Sequence, residues 1–139
     1  MKKYNLIMVF NNEEDKVLMC FRSKNPYLGL YNLVGGKIDD GEDIKESAYR
    51  ELFEETNITK KDIILEPLMD FKWHPIKMEM YVYAGVLKHD VKLIEEVHKL
   101  YWVSLDENFF DMSKFAGEGN IGHMMEIYFQ VKNILKQTS

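Results

Sequence analysis

The stretch from Asp43 to Thr56 constrains this chain most, because the apolar residues change period there. Ile44, Ala48 and Leu52 stand at i, i+4 and i+8, which is the buried stripe of one α-helix. On either side the apolar residues alternate or run together, as they do in strands. Tyr4 to Phe10 reads as a strand, Asn11 to Asp15 as a turn and Lys16 to Phe21 as a second strand. Ser23 to Gly29, around Pro26, is a loop, and Tyr31 to Val34 is a short extended piece running into Gly35-Gly36. Ile63–Trp73 and Met78–Leu87 read as strands about a turn containing Pro75, and Leu100–Val103 as another. A last helix is predicted from Ile121 to Leu135, since Ile121, Met124, Tyr128, Val131 and Leu135 recur at helical spacing. One helix enclosed by strands, and one after them, predicts an α/β chain with a mixed β-sheet between helices.

At 139 residues, residues 1–139 form one domain with a sizeable core. The net charge is -5 and the longest basic run is Lys60-Lys61, which speaks against a groove for a nucleic-acid polymer. The single cysteine, Cys20, leaves no internal disulfide and fits a reducing, cytoplasmic setting. The apolar run after Lys3 is short and carries Asn5, so it reads as a strand and not a leader. No stretch approaches the roughly 20 apolar residues of a membrane span.

The helix also carries the chemistry. Asp43, with Glu46 three residues on, resembles a capping box, and Asn57 is suited to close the helix in the left-handed conformation. Glu51, Glu54 and Glu55 project to neighbouring points on one side. Like charges so placed repel by a few tenths of a kcal/mol per pair, roughly, unless a cation offsets them. Carboxylates on a rigid helix are the hard oxygen ligands that Mg²⁺ prefers. Glycines at 35 and 36 let the backbone approach a metal or phosphate closely, and Glu42 is placed to fold back onto the cluster. Those residues read as a divalent-metal site on a loop–helix unit.

The spacing resembles the Nudix box, G-x5-E-x7-R-E-U-x-E-E-x-G-U with U aliphatic. Gly36, Glu42, Arg50, Glu51, Leu52, Glu54, Glu55 and Ile58 match it. At average residue usage the fixed residues would coincide about once in 10⁷ starts, which sets aside a merely solvated acidic face. The late glycine is Asn57 here, and Asn shares access to positive φ. The resemblance implies a Nudix-type α/β/α sandwich and a Mg²⁺-dependent hydrolase, with Mn²⁺ as a substitute. It implies that Glu51, Glu54 and Glu55 bind the metal, with the Gly36 carbonyl a further ligand. Arg50, by the same resemblance, orients a catalytic Glu through a salt bridge, where the plain alternative is a surface pair with Glu46 or Glu54. Glu51 is one candidate base. In many relatives a Glu in the loop before a Trp-bearing strand contributes as base or ligand; here Glu95 and Glu96 precede Trp102, and Glu96 has the better spacing. Glu118 is a further candidate.

Tyr31 to Lys37 resembles the segment leading into the box in MutT-like enzymes, which sanitise oxidised purine nucleoside triphosphates. That resemblance makes Asn32 a reader of a purine edge and Asn120 a second, against plain strand-end and N-cap roles. Arg22 and Lys37 are candidates for phosphate contacts, and Phe71, Trp73, Tyr81 and Tyr83 for stacking on a base, or for the core. His74, His89, His98 and His123 form no metal-site spacing. The expected substrate is a nucleotide, first a purine nucleoside triphosphate giving monophosphate and pyrophosphate. Dinucleoside polyphosphates, ADP-sugars and dinucleotide cofactors come second. A non-catalytic binding module comes last, since it would not need Arg50 and the three Glu. The expected assembly is a monomer or homodimer.

Overall fold

Strand β1 (Lys2–Phe10) is apolar from Leu6 onward, and every side chain from Ile7 to Phe10 is buried. A strand buried on both faces must be covered on both. The computed structural model, which describes residues 1–95 and 97–138, supplies the two layers. Beyond β1 come β2 (Lys16–Phe21), β3 (Tyr31–Leu33), α1 (Ile44–Thr56), β4 (Glu66–Trp73), β5 (Met78–Val86), β6 (Lys99–Ser104) and α2 (Asn120–Thr138). Ile7 and Val9 share a core with Ala48 and Leu52 of α1. Met8 and Phe10 share another with Ile121, Met124 and Met125 of α2. The result is the expected α/β/α sandwich on a mixed sheet.

The strands lie in the order β3-β2-β1-β5-β4, with β6 on the far edge of β2. β1 and β5 run parallel from Lys2↔Met78 to Phe10↔Val86, and the other pairs are antiparallel. β1 and β2 are paired only at Phe10↔Val17 and diverge from there. Into that opening the chain lays residues 34–38, bridging Ile7↔Val34 and Tyr4↔Lys37. The segment leading into the acidic helix is thereby held as part of the sheet.

Several boundaries differ from expectation. Ile63 and Leu65 are fully buried but precede β4, which begins at Glu66 with a register shift between Pro67 and Met69. Leu65 is fixed by its N–H donating to Tyr49 Oη (2.9 Å), a side-chain partner in place of a strand. Asp43 caps α1 by accepting from Glu46 N (3.0 Å), but the Glu46 carboxylate pairs with Lys60 and does not return to the cap. Asn57 ends α1 at φ 68, the conformation for which a glycine would serve. The stripe on α2 outruns the sheet it covers: Val131 is 39% and Leu135 63% exposed, while Ile121 and Met124 are buried. Among the described residues no helix is long and apolar enough to cross a membrane.

Candidate active site

Asn5 is the polar residue in an otherwise apolar stretch of β1, and it is 1% exposed. Burial without partners would be costly, so its bonds are informative. Its Oδ1 accepts from Gly36 N (3.0 Å), its N–H donates to the Gly36 carbonyl (2.9 Å), and its Nδ2 donates to Ser47 Oγ (3.1 Å) on α1. One side chain thus joins β1, the glycine loop and the helix. The fit requires glycine at position 35, and a side chain at 36 would displace the Glu51 carboxyl. A Cβ on Gly35, whose φ is 148, would lie 2.2 Å from the Asn5 carbonyl oxygen. A Cβ on Gly36 would lie 2.6 Å from the Glu51 carboxyl carbon. Asn5 belongs to no motif; its signal in the sequence is a carboxamide inside an apolar strand.

Arg50 connects the loop to the helix. Its Nε donates to Glu42 Oε2 (2.6 Å) and its Nη2 to Glu42 Oε1 (3.0 Å), a two-pronged pair. Nη1 donates to Glu51 Oε1 (3.0 Å) and reaches Glu54 Oε2 (3.2 Å), and Nη2 reaches the Lys37 carbonyl (3.4 Å). Glu42 does fold back to the cluster, through Arg50, while Glu46 stays with Lys60. Arg50 thus contacts Glu51 and Glu54 together, the partners of both expected roles, and does not reach Glu46, which pairs with Lys60. The Glu42 carboxyl is held below its usual value, chiefly by the Arg50 hydrogen bonds.

Glu55 turns the other way. Its Oε2 accepts from Gly35 N (3.4 Å), and burial, then the charge of Glu51, pushes its carboxyl up to about 7. Burial also raises Glu51, partly offset by Arg50. As the side chains stand, no three carboxylate, imidazole or thiol groups among the described residues lie close enough to hold an ion. Arg50 draws Glu51 and Glu54 to one side and Gly35 draws Glu55 to the other. The donor chemistry nonetheless fits a hard divalent cation: three carboxylates on one helix, of which Glu51 and Glu55 are raised by burial, beside a backbone carbonyl. The Gly36 carbonyl keeps one lone pair beyond the bond from Asn5.

A cavity of about 760 Å³ opens beside the glycine loop, with Gly35, Gly36 and Glu55 at its margin. It lies between the diverging strands β1 and β2 and the start of α2. Arg22, Asn32 and Asn120 line it, as do Phe71 and Trp73 with Met78 and Met80. Tyr81 and Tyr83, on the alternate positions of β5, pack instead on the α1 side. Lys37 does not face this cavity. It lines a smaller pocket of about 260 Å³ with Lys2, Lys3, Asp39 and Glu42. Glu95 Oε2 accepts from Leu100 N (3.2 Å) at the start of β6, and Glu118 pairs with Tyr27. Glu96 lies outside the described residues. His98 also lines the cavity, and among the described residues its buried Nδ1 has no partner.

Comparison with known proteins places this geometry. An oxidized purine nucleoside triphosphate hydrolase from Mus musculus is 26% identical over 106 residues, 75% of this chain and 67% of its own. An ADP-ribose pyrophosphatase from Methanocaldococcus jannaschii is 37% identical over 49 residues, 35% of this chain and only 29% of its own. The NUDIX domain of Shewanella oneidensis NrtR, solved with ADP ribose, shares the fold at a TM-score of 0.71 and 19% identity. That likeness covers 92% of this chain and 86% of that one. The NUDIX domain family model matches residues 1–121. With that match, and with the box mounted on α1 beside an open cavity, this chain belongs to the NUDIX family of hydrolases.

Proposed function

We propose that this hydrolase cleaves a purine nucleoside triphosphate, oxidised purines included, to a monophosphate and pyrophosphate in a Mg²⁺-dependent reaction. The observation that carries the reading is the cavity that joins Glu55 and the glycine loop to an aromatic wall and the Asn32 amide. The similarity to the mouse oxidized purine nucleoside triphosphate hydrolase supports it. Glu51, Glu54, Glu55 and the Gly36 carbonyl would hold Mg²⁺ or Mn²⁺, which supplies the positive charge that polarises water and the diphosphate oxygens. Arg50 holds Glu51 and Glu54 from the loop side. The oxygen of water bonds to phosphorus, a bridging P–O bond breaks, and one proton passes to a carboxylate. Arg22 serves a phosphate at the cavity wall, and Lys37 from the neighbouring pocket; Asn120 stands at the base end. A nucleic-acid polymer forms no part of this reading, given the charge of -5. A cytoplasmic setting suits the buried free thiol of Cys20. Screening nucleotides with Mg²⁺ for released pyrophosphate tests it; no pyrophosphate from any purine triphosphate would reject it. A dinucleoside polyphosphate, ADP-sugar or dinucleotide cofactor is the second reading, and the stretch shared with the ADP-ribose pyrophosphatase favours the ADP-sugar among them.

For the loop base, Glu95→Gln and Glu96→Gln are to be compared. Glu95 is engaged with Leu100 N, so Glu96→Gln is expected to cost the larger loss in kcat, about 10-fold or more. If neither change alters the rate, Glu51 or Glu118 becomes the base.

Asn32 Oδ1 accepts from Leu33 N (2.8 Å), so the amide offers a ligand chiefly its NH₂ donors. Those suit the acceptors on a purine edge. Asn32→Ala is expected to raise KM for the preferred purine and cut purine-over-pyrimidine selectivity by about 10-fold, with metal dependence kept. Uniform loss over every nucleotide would mean that Asn32 only braces the loop.

A further inference from the structure

Asn5 grips Gly36 at both of its backbone polar groups. Its Oδ1 accepts from the Gly36 N–H (3.0 Å), and its own N–H donates to the Gly36 carbonyl (2.9 Å). These two bonds fix the peptide planes on either side of a residue type with more backbone freedom than any other. The direction of the carbonyl's remaining lone pair is fixed with them. Nδ2 then donates to Ser47 Oγ (3.1 Å), whose hydroxyl donates on to the Ile44 carbonyl (2.7 Å) in the first turn of α1. Asn5 is 1% exposed and Ser47 0%, so water does not compete for these bonds. Ser47, Glu51 and Glu55 stand at i, i+4 and i+8, on one face of α1. That face meets the loop at each point: Ser47 at Asn5, Glu51 beside Gly36, and Glu55 at Gly35 N (3.4 Å). The relay through Asn5 anchors the first turn of the face that presents both carboxylates to the glycine carbonyl.

We infer that Asn5, acting with Ser47, is a positioning residue for the divalent cation, setting the distance between the Gly36 carbonyl and the carboxylates of Glu51 and Glu55. It acts through Gly36 on one side and through α1 on the other. Outer partners that orient metal ligands are worth about 10- to 100-fold in metal affinity. The inference rests on the metal site of the proposed function, and deepens it by naming what holds the two halves of that site in register.

The test measures Mn²⁺ affinity of the nucleotide-free protein, from the electron spin resonance signal of the unbound ion. Wild type is compared with Asn5→Ala, Ser47→Ala, the double variant and Tyr49→Phe. The last is the control, since it removes a different bond of α1, the one from Leu65 N to Tyr49 Oη (2.9 Å). Asn5→Ala is expected to weaken Mn²⁺ binding about 10-fold or more, and Ser47→Ala about 3-fold. The double variant should bind no more weakly than Asn5→Ala, because the two residues form one relay. Tyr49→Phe should lower the thermal midpoint yet keep Mn²⁺ affinity within about 2-fold of wild type. If Asn5→Ala does not fold, Ser47→Ala decides the matter, since alanine suits a helix, and unchanged affinity there overturns the inference. So does an Asn5→Ala affinity equal to that of wild type or of Tyr49→Phe, and so do losses that multiply in the double variant. If wild type binds Mn²⁺ but cleaves no nucleotide, the proposed reaction fails while the affinities still decide the role of Asn5. If wild type binds no Mn²⁺, the metal site and the inference fail together.

Discussion

Glu51→Gln and Glu55→Gln should each lower kcat by about 100-fold or more, because each removes a charge from the metal site while preserving size. Near-normal turnover in both variants under saturating Mg²⁺ would remove the box carboxylates from the mechanism. Glu55 adds a pH signature. Its carboxyl is raised from 4.5 to about 7, so the metal-free fold favours the protonated form. That stabilising preference is complete below 4.5 and is lost as pH rises through about 7. A cation needs the ionised form, so metal affinity should climb over the same interval, and activity with it toward alkaline pH. Glu55→Gln is permanently neutral. At pH 8 the metal-free variant should therefore be more stable than metal-free wild type, by about 2 kcal/mol, while being the worse enzyme. Denaturant unfolding without metal at pH 5 and pH 8 measures this. A variant less stable than wild type at pH 8 contradicts it.

Gly35→Ala should produce the largest loss of stability, about 3 kcal/mol or more, and lower the thermal midpoint by about 10 °C. The added Cβ would sit 2.2 Å from a backbone oxygen that belongs to the central strand, where neither side can yield. Gly41→Ala is the matched control. It has positive φ (78) but nothing within 4 Å of its Cβ, so it should cost only the left-handed penalty, about 1 kcal/mol. Equal melting of the two variants would mean that the close approach to Asn5 is not what demands glycine.

The strands, both helices and the acidic unit were legible in the sequence because each is written in local periodicity or spacing. The period of Ile44, Ala48 and Leu52 located α1, and the turn at Pro75 separated β4 from β5. Ile63 and Leu65 misled, because burial in a loop fixed by Tyr49 looks, in one dimension, like the start of a strand. The carboxylate trio was legible as a set, but not the way Arg50 and Gly35 pull its members apart. Such partners are chosen in three dimensions. Sequence pairs Lys37 with Arg22 as candidates for phosphate, yet the bridge to Tyr4 sets Lys37 in the separate, smaller pocket. Asn5 and the Tyr27–Glu118 pair belong to no short motif, and their bonds reach residues far away in sequence.

The glycine loop is bonded along the central strand β1 at Lys3, Asn5 and Ile7. It belongs to the same cooperative unit as the core, not to the class of catalytic loops that fray on their own. Heat therefore cannot dismantle the metal-binding frame before it dismantles the sheet. The frame has the lifetime of the whole fold.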